Sequence, residues 1–292
     1  MSATRRLALG TVQFGLPYGI ANRTGKLSSA EGGAIIKRAW AAGVDTFDTA
    51  ISYGDAECQL GAIGVSQWQV VSKLPQLPDA VDTITWVRRQ INESLARLRV
   101  QSLYGLLLHQ PAALLGPQGN AIYAAMVDAK NAGLVGKIGI SAYGPEDIDS
   151  ITSQFRMDLV QAPFSIFDRR LCTSGCLDRM HASGIEFHAR SVFLQGLLLM
   201  EQQQRPASFA RWNVLWTAWD GWLKEARMTP LQACLGFVSA HQSVARFVVG
   251  VDSSAQLEQI LSAVDIAESL AFPAELASQD PQLINPSNWS SH

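Results

Sequence analysis

Three short, largely apolar segments of this chain each end in a residue that can carry charge or move a proton. The segments at 44–47, 70–72 and 106–108 are followed by Asp48, Lys73 and His109. Tyr53 lies five residues after Asp48 and directly precedes a glycine. Short apolar runs are typical of buried strands, and polar groups that follow them commonly lie in functional loops. We call Asp48, Tyr53, Lys73 and His109 the tetrad.

The tetrad contains the groups that a proton donor needs. A tyrosine hydroxyl has a pKa near ~10, and a neighbouring ammonium lowers that pKa by favouring the phenolate. Lys73 is the candidate ammonium, and Asp48 is the carboxylate that would keep it charged in a closed site. His109, neutral or protonated, can hydrogen-bond a substrate oxygen or share the proton. The set predicts proton donation to a carbonyl oxygen while another group delivers hydride, and it offers no nucleophile–base pair for covalent catalysis.

Each member of the tetrad alone also has an ordinary structural explanation. An aspartate at a strand end often caps a helix, and a tyrosine beside a glycine often anchors a loop. A lysine or histidine at a strand end often contacts only solvent or loop carbonyls. The chemical interpretation therefore depends on the joint placement of the four residues after successive strands.

The whole chain alternates short apolar runs with amphipathic segments. Predicted strands lie at 7–10, 44–48, 70–73, 103–109, 137–141, 158–161, 185–190 and 246–250. Predicted helices lie at 29–42, 55–63, 80–98, 120–132, 145–153, 170–183, 229–241 and 254–269. This alternation indicates a parallel sheet, because parallel strands need crossover connections. Eight such units predict an α/β fold of the (β/α)8 TIM-barrel type, in which active sites lie at the C-terminal ends of the strands.

The length of 292 residues is compatible with one barrel. Domains of ~150 residues would suggest about two, but α/β barrels commonly occupy ~250 residues as one domain. We expect residues 1–292 to form a single domain. Local signals agree with the predicted helix boundaries. Ser28 with Glu31 predicts a capping box at the start of the first long helix, and Thr229 followed by proline predicts another helix start.

Composition excludes several classes of partner. The chain is 48% hydrophobic and 16% charged, with a net charge of -2 and a pI of about 6.2. No basic block supports binding to nucleic acid or anionic lipid. No window approaches ~18 uninterrupted apolar residues, and no signal peptide is evident, so we expect a cytoplasmic protein. The four cysteines lack metal-ligand spacing and are expected to be reduced thiols, with no metal site.

Two regions interrupt the strand–helix alternation. Residues 11–28 form a predicted long loop with three glycines, and residues 196–228 contain four tryptophans. The tryptophans of the segment 212–222 are expected to cover one face of a helix that packs on the barrel, although one or two rings could line a substrate pocket. We expect Phe14 and Tyr18, together with this segment, to form pocket walls for a small carbonyl compound. The tail beyond 272 is expected to be irregular.

The segment 48–61 resembles a family signature. It matches throughout the aldo-keto reductase pattern Asp-Thr-Ala-x-x-Tyr-Gly-x-x-Glu-x-x-Leu/Ile-Gly. The lysine and histidine segments match the next two family landmarks in order, and Gly136 to Ser141 resembles the family's next strand. The resemblance covers roughly residues 7–270 and implies a bacterial NAD(P)H-dependent carbonyl reductase. It implies Tyr53 as general acid, Lys73 and Asp48 as groups that tune its pKa, and His109 as the residue that orients the substrate.

The resemblance also implies contacts to a nicotinamide ring. Ser141 and Gln161 match residues that bind the carboxamide, although the family's asparagine after the serine is Ala142 here. Arg190, with Ser191 beside it, occupies the position where the family usually has an aromatic residue stacked on the ring. A guanidinium plane can stack as well, so the position is expected to keep its role.

The remaining cofactor contacts implied by the resemblance lie towards the phosphates and the adenosine. They are Gln195, Gly196, Gly250, Val251, Asp252, Ser253 and Gln256. The helix that follows strand eight offers backbone N–H groups to a phosphate. Members of the family that prefer NADPH place Lys or Arg around this turn, whereas this chain has Asp252. A carboxylate suits the free 2′-hydroxyl of NAD and repels the 2′-phosphate of NADP, so the family favours NADP while these residues favour NAD.

Two other classes of protein remain open. Some relatives of the family are non-catalytic subunits, so a cofactor-binding regulatory or redox-sensing protein with little activity is the alternative. A metal-dependent TIM-barrel hydrolase would need a histidine and carboxylate cluster at the strand ends, which the predicted strands do not supply. The sequence predicts neither the substrate nor the oligomeric state.

Overall fold

Eight parallel strands close into a barrel in the computed structural model of the chain, which describes residues 3–79, 81–264 and 271–289. The strands are β1 (Leu7–Gly10), β2 (Thr46–Asp48), β3 (Gln69–Leu74), β4 (Leu103–Leu108), β5 (Val135–Ser141), β6 (Leu159–Pro163), β7 (Glu186–Arg190) and β8 (Val244–Gly250). Each strand pairs with the next along the chain, and β1 pairs with β8 to close the ring. The predicted (β/α)8 barrel is confirmed.

Helices surround the barrel and fill the connections between its strands. They are α1 (Val12–Gly15), α2 (Ser29–Ala41), α3 (Ala56–Ile63), α4 (Thr83–Leu98), α5 (Gly119–Asn131), α6 (Pro145–Thr152), α7 (Arg170–Thr173), α8 (Cys176–Ala182), α9 (Asn213–Ala226), α10 (Pro230–Ala240), α11 (Ser254–Ala263) and α12 (Pro281–Ile284). None of the described helices is both long and apolar enough to cross a membrane. The four cysteines are free thiols.

Three predicted elements have different boundaries in the structure. The predicted helix 170–183 is two helices, because Gly175 takes a left-handed conformation with φ of 70° between α7 and α8. The predicted helix 80–98 begins only at Thr83, where the Asp82 carboxylate accepts a hydrogen bond from a backbone N–H of the first turn. Ala80 and the last residues of the predicted helix 254–269 lie outside the described residues. The segment 11–28 is not all loop, since it contains α1.

The predicted capping box at the start of α2 is only half formed. Ser28 Oγ accepts a hydrogen bond from the Glu31 N–H at 3.2 Å, as expected. The Glu31 carboxylate, however, accepts from the Ser254 N–H at 2.6 Å instead of returning to its own helix start. The Thr229 box at the start of α10 is complete in both directions.

The tryptophan-rich segment forms α9 and packs on the barrel, as expected. Trp216 and Trp219 are buried, and their rings lie 5.2 and 5.7 Å from the Phe167 ring. The tail beyond 272 is not all irregular, since it contains α12, and it packs on the same region, where Trp212 donates a hydrogen bond to Asp280 at 3.0 Å. A cavity of about 510 Å³ lies beside α9 and includes Trp216 in its lining, but no member of the tetrad lines it.

Candidate active site

Lys73 forms the centre of the polar cluster at the C-terminal end of the barrel. Its ammonium is 1% exposed and donates to both carboxylate oxygens of Asp48, at 2.7 and 2.8 Å, and to the carbonyl of Thr49 at 2.9 Å. Burial alone would lower the pKa of Lys73, but the Asp48 carboxylate and the Tyr53 hydroxyl together raise it. The lysine therefore stays charged in a closed site, which is the part that the sequence predicted for Asp48.

Tyr53 is held over this ion pair by a tightly packed loop. The loop follows β2 and turns at Gly54, whose φ is 56°. A Cβ added to Gly15 of α1 would lie 1.8 Å from the Tyr53 carbonyl oxygen, so α1 can approach the loop only through a glycine. The half-buried Tyr53 ring then lies with its centroid 5.2 Å from Lys73 Nζ. This placement agrees with the sequence prediction.

The acidity of Tyr53 differs from the sequence expectation. Burial raises the pKa of Tyr53 above its ordinary value, and the nearby Lys73 ammonium only partly opposes this effect. The hydroxyl makes no hydrogen bond to any other described residue. Tyr53 therefore carries its proton at neutral pH and has not already donated it to a protein acceptor.

His109 lies directly after β4, where its backbone N–H donates to the Leu74 carbonyl at 3.0 Å. Its ring faces the edge of Tyr53, with 5.9 Å between ring centroids and an interplanar angle of 78°. Ser52 Oγ lies 3.2 Å from His109 Nδ1. Burial and the charge of Lys73 lower the pKa of His109 to about 4. Of the two forms that the sequence left open, the neutral imidazole is therefore present near pH 7.

Ser141, the last residue of β5, is paired with Gln161 in the middle of β6. Gln161 Nε2 donates to Asp48 Oδ1 at 2.6 Å, a contact that sequence reasoning did not foresee. Gln161 Oε1 is buried and has no hydrogen-bond partner among the described residues. A buried amide oxygen without a partner fits an N–H donor on a bound ligand.

Arg190 ends β7 and reaches across to the end of β5. Its guanidinium donates to the Ala142 carbonyl at 3.0 Å and to Ser191 Oγ at 3.3 Å. The guanidinium carbon lies 5.2 Å from the Tyr143 ring centroid. Arg190 Nε is buried without a hydrogen-bond partner within the described part of the chain. Arg190 therefore presents a flat, cationic group next to Gln161 and the tetrad.

The segment after β7 has an unusual backbone. Ser191, Leu194 and Gln195 have φ of 58°, 45° and 52°, a left-handed region that few non-glycine residues occupy. Gln195 Nε2 donates to the Tyr18 hydroxyl at 3.2 Å. A Cβ on Gly196 would lie 2.5 Å from the Ala21 Cβ. Strained backbone of this kind is commonly found where a ligand is held, and here it is braced by the loop that follows α1.

The turn between β8 and α11 contains the remaining predicted cofactor residues. Val251 is buried, and the side chain of Ser253 caps α11 by accepting from the Gln256 N–H at 3.3 Å. The Asp252 N–H donates to Gln256 Oε1 at 2.8 Å. A Cβ on Gly250 would lie 2.6 Å from the Gln13 side chain. These residues lie together at the same end of the barrel as the tetrad.

The predicted pocket wall at Phe14 is wrong. Phe14 is fully buried under Gly32 of α2, whereas Tyr18 is 44% exposed.

Glu57 of α3 has a structural role that was not predicted. It is 2% exposed and accepts hydrogen bonds from Ser72 at 2.7 Å, Ser94 at 2.6 Å and Arg97 at 2.8 Å. Glu57 thus fixes α3, and with it the Tyr53 loop, to the strand that carries Lys73.

Glu57 was visible in the sequence only as a motif position. A glutamate within an otherwise apolar helix segment, four residues after Tyr53, was the available signal. Buried carboxylates are almost always paired, so this position could have been assigned a structural part.

The structure thus combines an α/β barrel with a buried Lys–Asp pair that lies beside a tyrosine and a histidine at the C-terminal end of the strands. A sequence profile of the aldo/keto reductase family matches residues 6–271. The chain therefore belongs to the aldo/keto reductase family, a family of oxidoreductases. No curated protein matches the chain.

Solved structures with the same fold are found in two bacteria. AKR11C1 of Bacillus halodurans, an aldo-keto reductase in its holo form, has a TM-score of 0.72 and 18% identity over 91% of this chain and 88% of its own. PA4992 of Pseudomonas aeruginosa, described as a candidate aldo-keto reductase, has a TM-score of 0.67 and 21% identity over 90% of both chains. At this identity the likeness concerns the fold alone.

Proposed function

We propose that the chain reduces an aldehyde or ketone to an alcohol with a reduced nicotinamide cofactor, NADPH or NADH. One observation carries the proposal. The Tyr53 hydroxyl keeps its proton, makes no hydrogen bond within the described residues, and lies beside the buried Lys73–Asp48 pair. A group in this state is suited to protonate an oxygen on which negative charge develops.

Each member of the tetrad has a distinct part in this proposal. Tyr53 gives its proton to the carbonyl oxygen, and the Lys73 ammonium stabilises the phenolate that is left. Asp48, which Gln161 holds by a hydrogen bond, keeps the lysine charged and fixed in position. Neutral His109 hydrogen-bonds the carbonyl oxygen and orients it towards the tyrosine.

The residues that would hold the cofactor fit such a group. A bound reduced nicotinamide supplies the hydride. Ser141 and the unpartnered Oε1 of Gln161 are suited to a carboxamide, and the face of Arg190 is suited to a flat ring. The proposed phosphate and adenosine contacts are Ser191, Gln195, Gly196, Gly250, Val251, Asp252, Ser253 and Gln256. This placement rests on the family resemblance and on the position of these residues at the tetrad end of the barrel.

The test compares the same substitution at two tyrosines. Tyr53→Phe is expected to lower turnover by about 10²–10⁴-fold, because a positioned general acid contributes that much. Tyr104→Phe, at the opposite end of the barrel, is expected to retain turnover within about twofold because Tyr104 lies away from the tetrad. Turnover is measured as the loss of reduced-nicotinamide absorbance with a panel of aldehydes and ketones and both cofactors. Unchanged turnover in Tyr53→Phe would refute the assignment.

Cofactor binding is measured in parallel by quenching of tryptophan fluorescence. Tyr53→Phe is expected to bind the cofactor nearly as well as the wild type, because only the proton donor is lost. A wild-type protein that binds the cofactor but reduces no compound of the panel would support the regulatory alternative instead.

A further inference from the structure

The start of α11 already holds a carboxylate of the protein. The N-terminal N–H groups of a helix attract anions, because they have no partner within the helix. Here Glu31 Oε1 accepts from the Ser254 N–H at 2.6 Å. Glu31 belongs to α2, so this contact joins residues that are far apart in the sequence. An anionic ligand group at this position would have to displace Glu31 or lie beside it.

The position of Glu31 is fixed by the packing of α2 along α11. Glu31 lies in the first turn of α2, and its own N–H donates to Ser28 Oγ. Two helical turns further along α2, Arg38 pairs with Glu258, which lies one turn further along α11. The two contacts, Glu31 with Ser254 and Arg38 with Glu258, hold the helices in one register. The Glu31 carboxylate therefore has little freedom to move away from the start of α11.

A second carboxylate lies in the same turn. Asp252 immediately precedes the cap residue of α11, and its Oδ1 accepts from Asn22 Nδ2 at 2.9 Å. Asn22 also accepts from the Thr24 and Gly25 N–H groups, so the amide is held by its own loop. No described Lys or Arg forms an ion pair with Asp252 or Glu31. The turn thus combines two acidic side chains without a bound cation to offset them.

We propose that Glu31, together with Asp252, makes this protein discriminate against a cofactor that carries a 2′-phosphate, so that NADH binds more tightly than NADPH. This inference rests on the proposed function, in which the adenosine end of the cofactor lies at the turn between β8 and α11. A 2′-hydroxyl can donate a hydrogen bond to a carboxylate, whereas a 2′-phosphate brings about two negative charges into the same space. The helix N-terminus would otherwise favour the phosphate, so the Glu31 contact removes the main attraction there.

The test measures the dissociation constant of NADPH divided by that of NADH. Both constants are measured by quenching of the intrinsic tryptophan fluorescence and by calorimetry. For the wild type, we expect the dissociation constant of NADPH to exceed that of NADH. In Glu31→Gln the amide oxygen can still accept from the Ser254 N–H, so the helix junction is kept while one charge is lost. We expect the ratio to fall by about tenfold, the effect of one elementary charge a few Å from the phosphate at intermediate dielectric. Asp252→Asn should shift the ratio in the same direction.

Glu258→Gln is the matched control. It removes a charge from the same pair of helices, one turn away from the start of α11. The Gln amide oxygen can still accept from Arg38, so the register that positions Glu31 is kept. Its ratio should stay within twofold of the wild type. A ratio unchanged in both Glu31→Gln and Asp252→Asn, or a wild type that binds NADPH more tightly than NADH, would overturn the inference and leave the proposed function intact. Failure of the wild type to bind either dinucleotide would instead overturn the proposed function.

Discussion

Two clusters at opposite ends of the barrel contain the same kinds of side chain in different arrangements. The tetrad lies at the C-terminal ends of its strands. The lower cluster, at or near the N-terminal ends of β4, β5 and β7, also combines a tyrosine, a lysine, a carboxylate and a histidine. Its members are Tyr104, Lys137, Glu186 and His188. A list of residue types would not separate the two.

In the lower cluster the tyrosine hydroxyl, the ammonium and the carboxylate all form hydrogen bonds to one another. The Tyr104 hydroxyl donates to Glu186, with its two oxygens 2.9 and 2.8 Å away, and accepts from Lys137 Nζ at 2.7 Å. Lys137 also pairs with Glu186, and His188 Nε2 lies 2.7 Å from the same carboxylate. The hydroxyl proton of Tyr104 is therefore already engaged in a hydrogen bond to the carboxylate of this cluster.

In the tetrad the carboxylate is paired with the lysine, and the tyrosine hydroxyl has no acceptor among the residues that the structure describes. Burial is the main cause that raises the pKa of both Tyr53 and Tyr104, so acidity does not distinguish the two sites. The two sites differ in geometry. The Tyr53 hydroxyl is available to a ligand, whereas the Tyr104 hydroxyl is bound to Glu186 and Lys137. The hydrogen-bond partner of the tyrosine, and not its pKa, therefore separates a candidate proton donor from a structural cross-link.

The largest expected effect follows from removing each lysine in turn. Lys73→Met is expected to lower kcat by about 10²–10³-fold, because the ammonium that stabilises the phenolate of Tyr53 is lost. Lys137→Met is expected to retain kcat within about twofold, because its hydrogen bonds serve only the lower cluster. Steady-state rates of carbonyl reduction for the two variants check this. Full activity in Lys73→Met would mean that the tetrad is no more important for carbonyl reduction than the lower cluster.

The Lys73→Met variant needs a separate measurement of folding. Removal of one partner from a buried ion pair typically costs ~3–5 kcal/mol, because Asp48 would remain buried without its counter-ion. Circular dichroism and urea unfolding therefore accompany the rates. Lys73→Arg retains a charge at the same position and serves as the conservative variant, whose partial activity would assign the loss to charge and not to misfolding.

The next largest effect concerns the stability contributed by the lower cluster. Burial would raise the pKa of Glu186, but hydrogen bonds from His188 and Lys137 outweigh it and lower the pKa to about 2. A carboxyl whose pKa is about 2 instead of 4.5 contributes about 3 kcal/mol at neutral pH. Glu186→Gln is therefore expected to lower the free energy of unfolding at pH 7 by about this amount, while kcat of the folded protein is unchanged.

The dependence on pH has a definite direction for Glu186. Because its pKa is lower in the folded protein, its contribution is present above about pH 4.5 and is lost as the pH falls towards about 2. Urea unfolding of the wild type and Glu186→Gln at pH 7 and pH 3 should give a difference that shrinks at the lower pH. A constant difference would mean that Glu186 acts through packing and not through charge.

The features that the sequence predicts correctly all follow from local pattern. Eight apolar runs at regular spacing predict the barrel, which is confirmed. The residues after three of these runs lie close together, as expected of parallel strands, while their catalytic parts stay a prediction. Lys73 and His109 are 36 residues apart in the chain, yet the fold class alone placed them in one site. The protonation state of His109 could not be predicted from the sequence, because it depends on the burial of the ring, which only the structure shows.

The features that the sequence did not predict are contacts between distant elements. The spacing of Ser28 and Glu31 predicts a capping box within α2, but the Glu31 carboxylate accepts a hydrogen bond from Ser254, which lies 223 residues further along the chain. Phe14 was placed in a pocket because it lies in a loop, while packing under Gly32 buries it. The lower cluster draws on three strands without any motif, so its cross-links had no local signal.

The smallest effect that we predict concerns His109. Burial and Lys73 lower its pKa from 6.5 to about 4, so the histidine is neutral across the range in which an ordinary one titrates. The acidic limb of kcat/KM should accordingly show no inflection from His109 between pH 5 and pH 8. The unfolded chain binds more protons than the folded one below about pH 6.5. The stability contributed by His109 is therefore complete above that pH and falls towards pH 4.

Lowering the pH from 7 to 5.5 is expected to cost about 1 kcal/mol of unfolding free energy through His109. His109→Gln should lack this part of the dependence, which urea unfolding at the two pH values measures against the wild type. An inflection near pH 6.5 in kcat/KM that His109→Gln removes would mean that His109 titrates normally. The tetrad would then share its proton between Tyr53 and a charged imidazole, and the contrast between the two clusters would lie in the histidine as well as in the tyrosine.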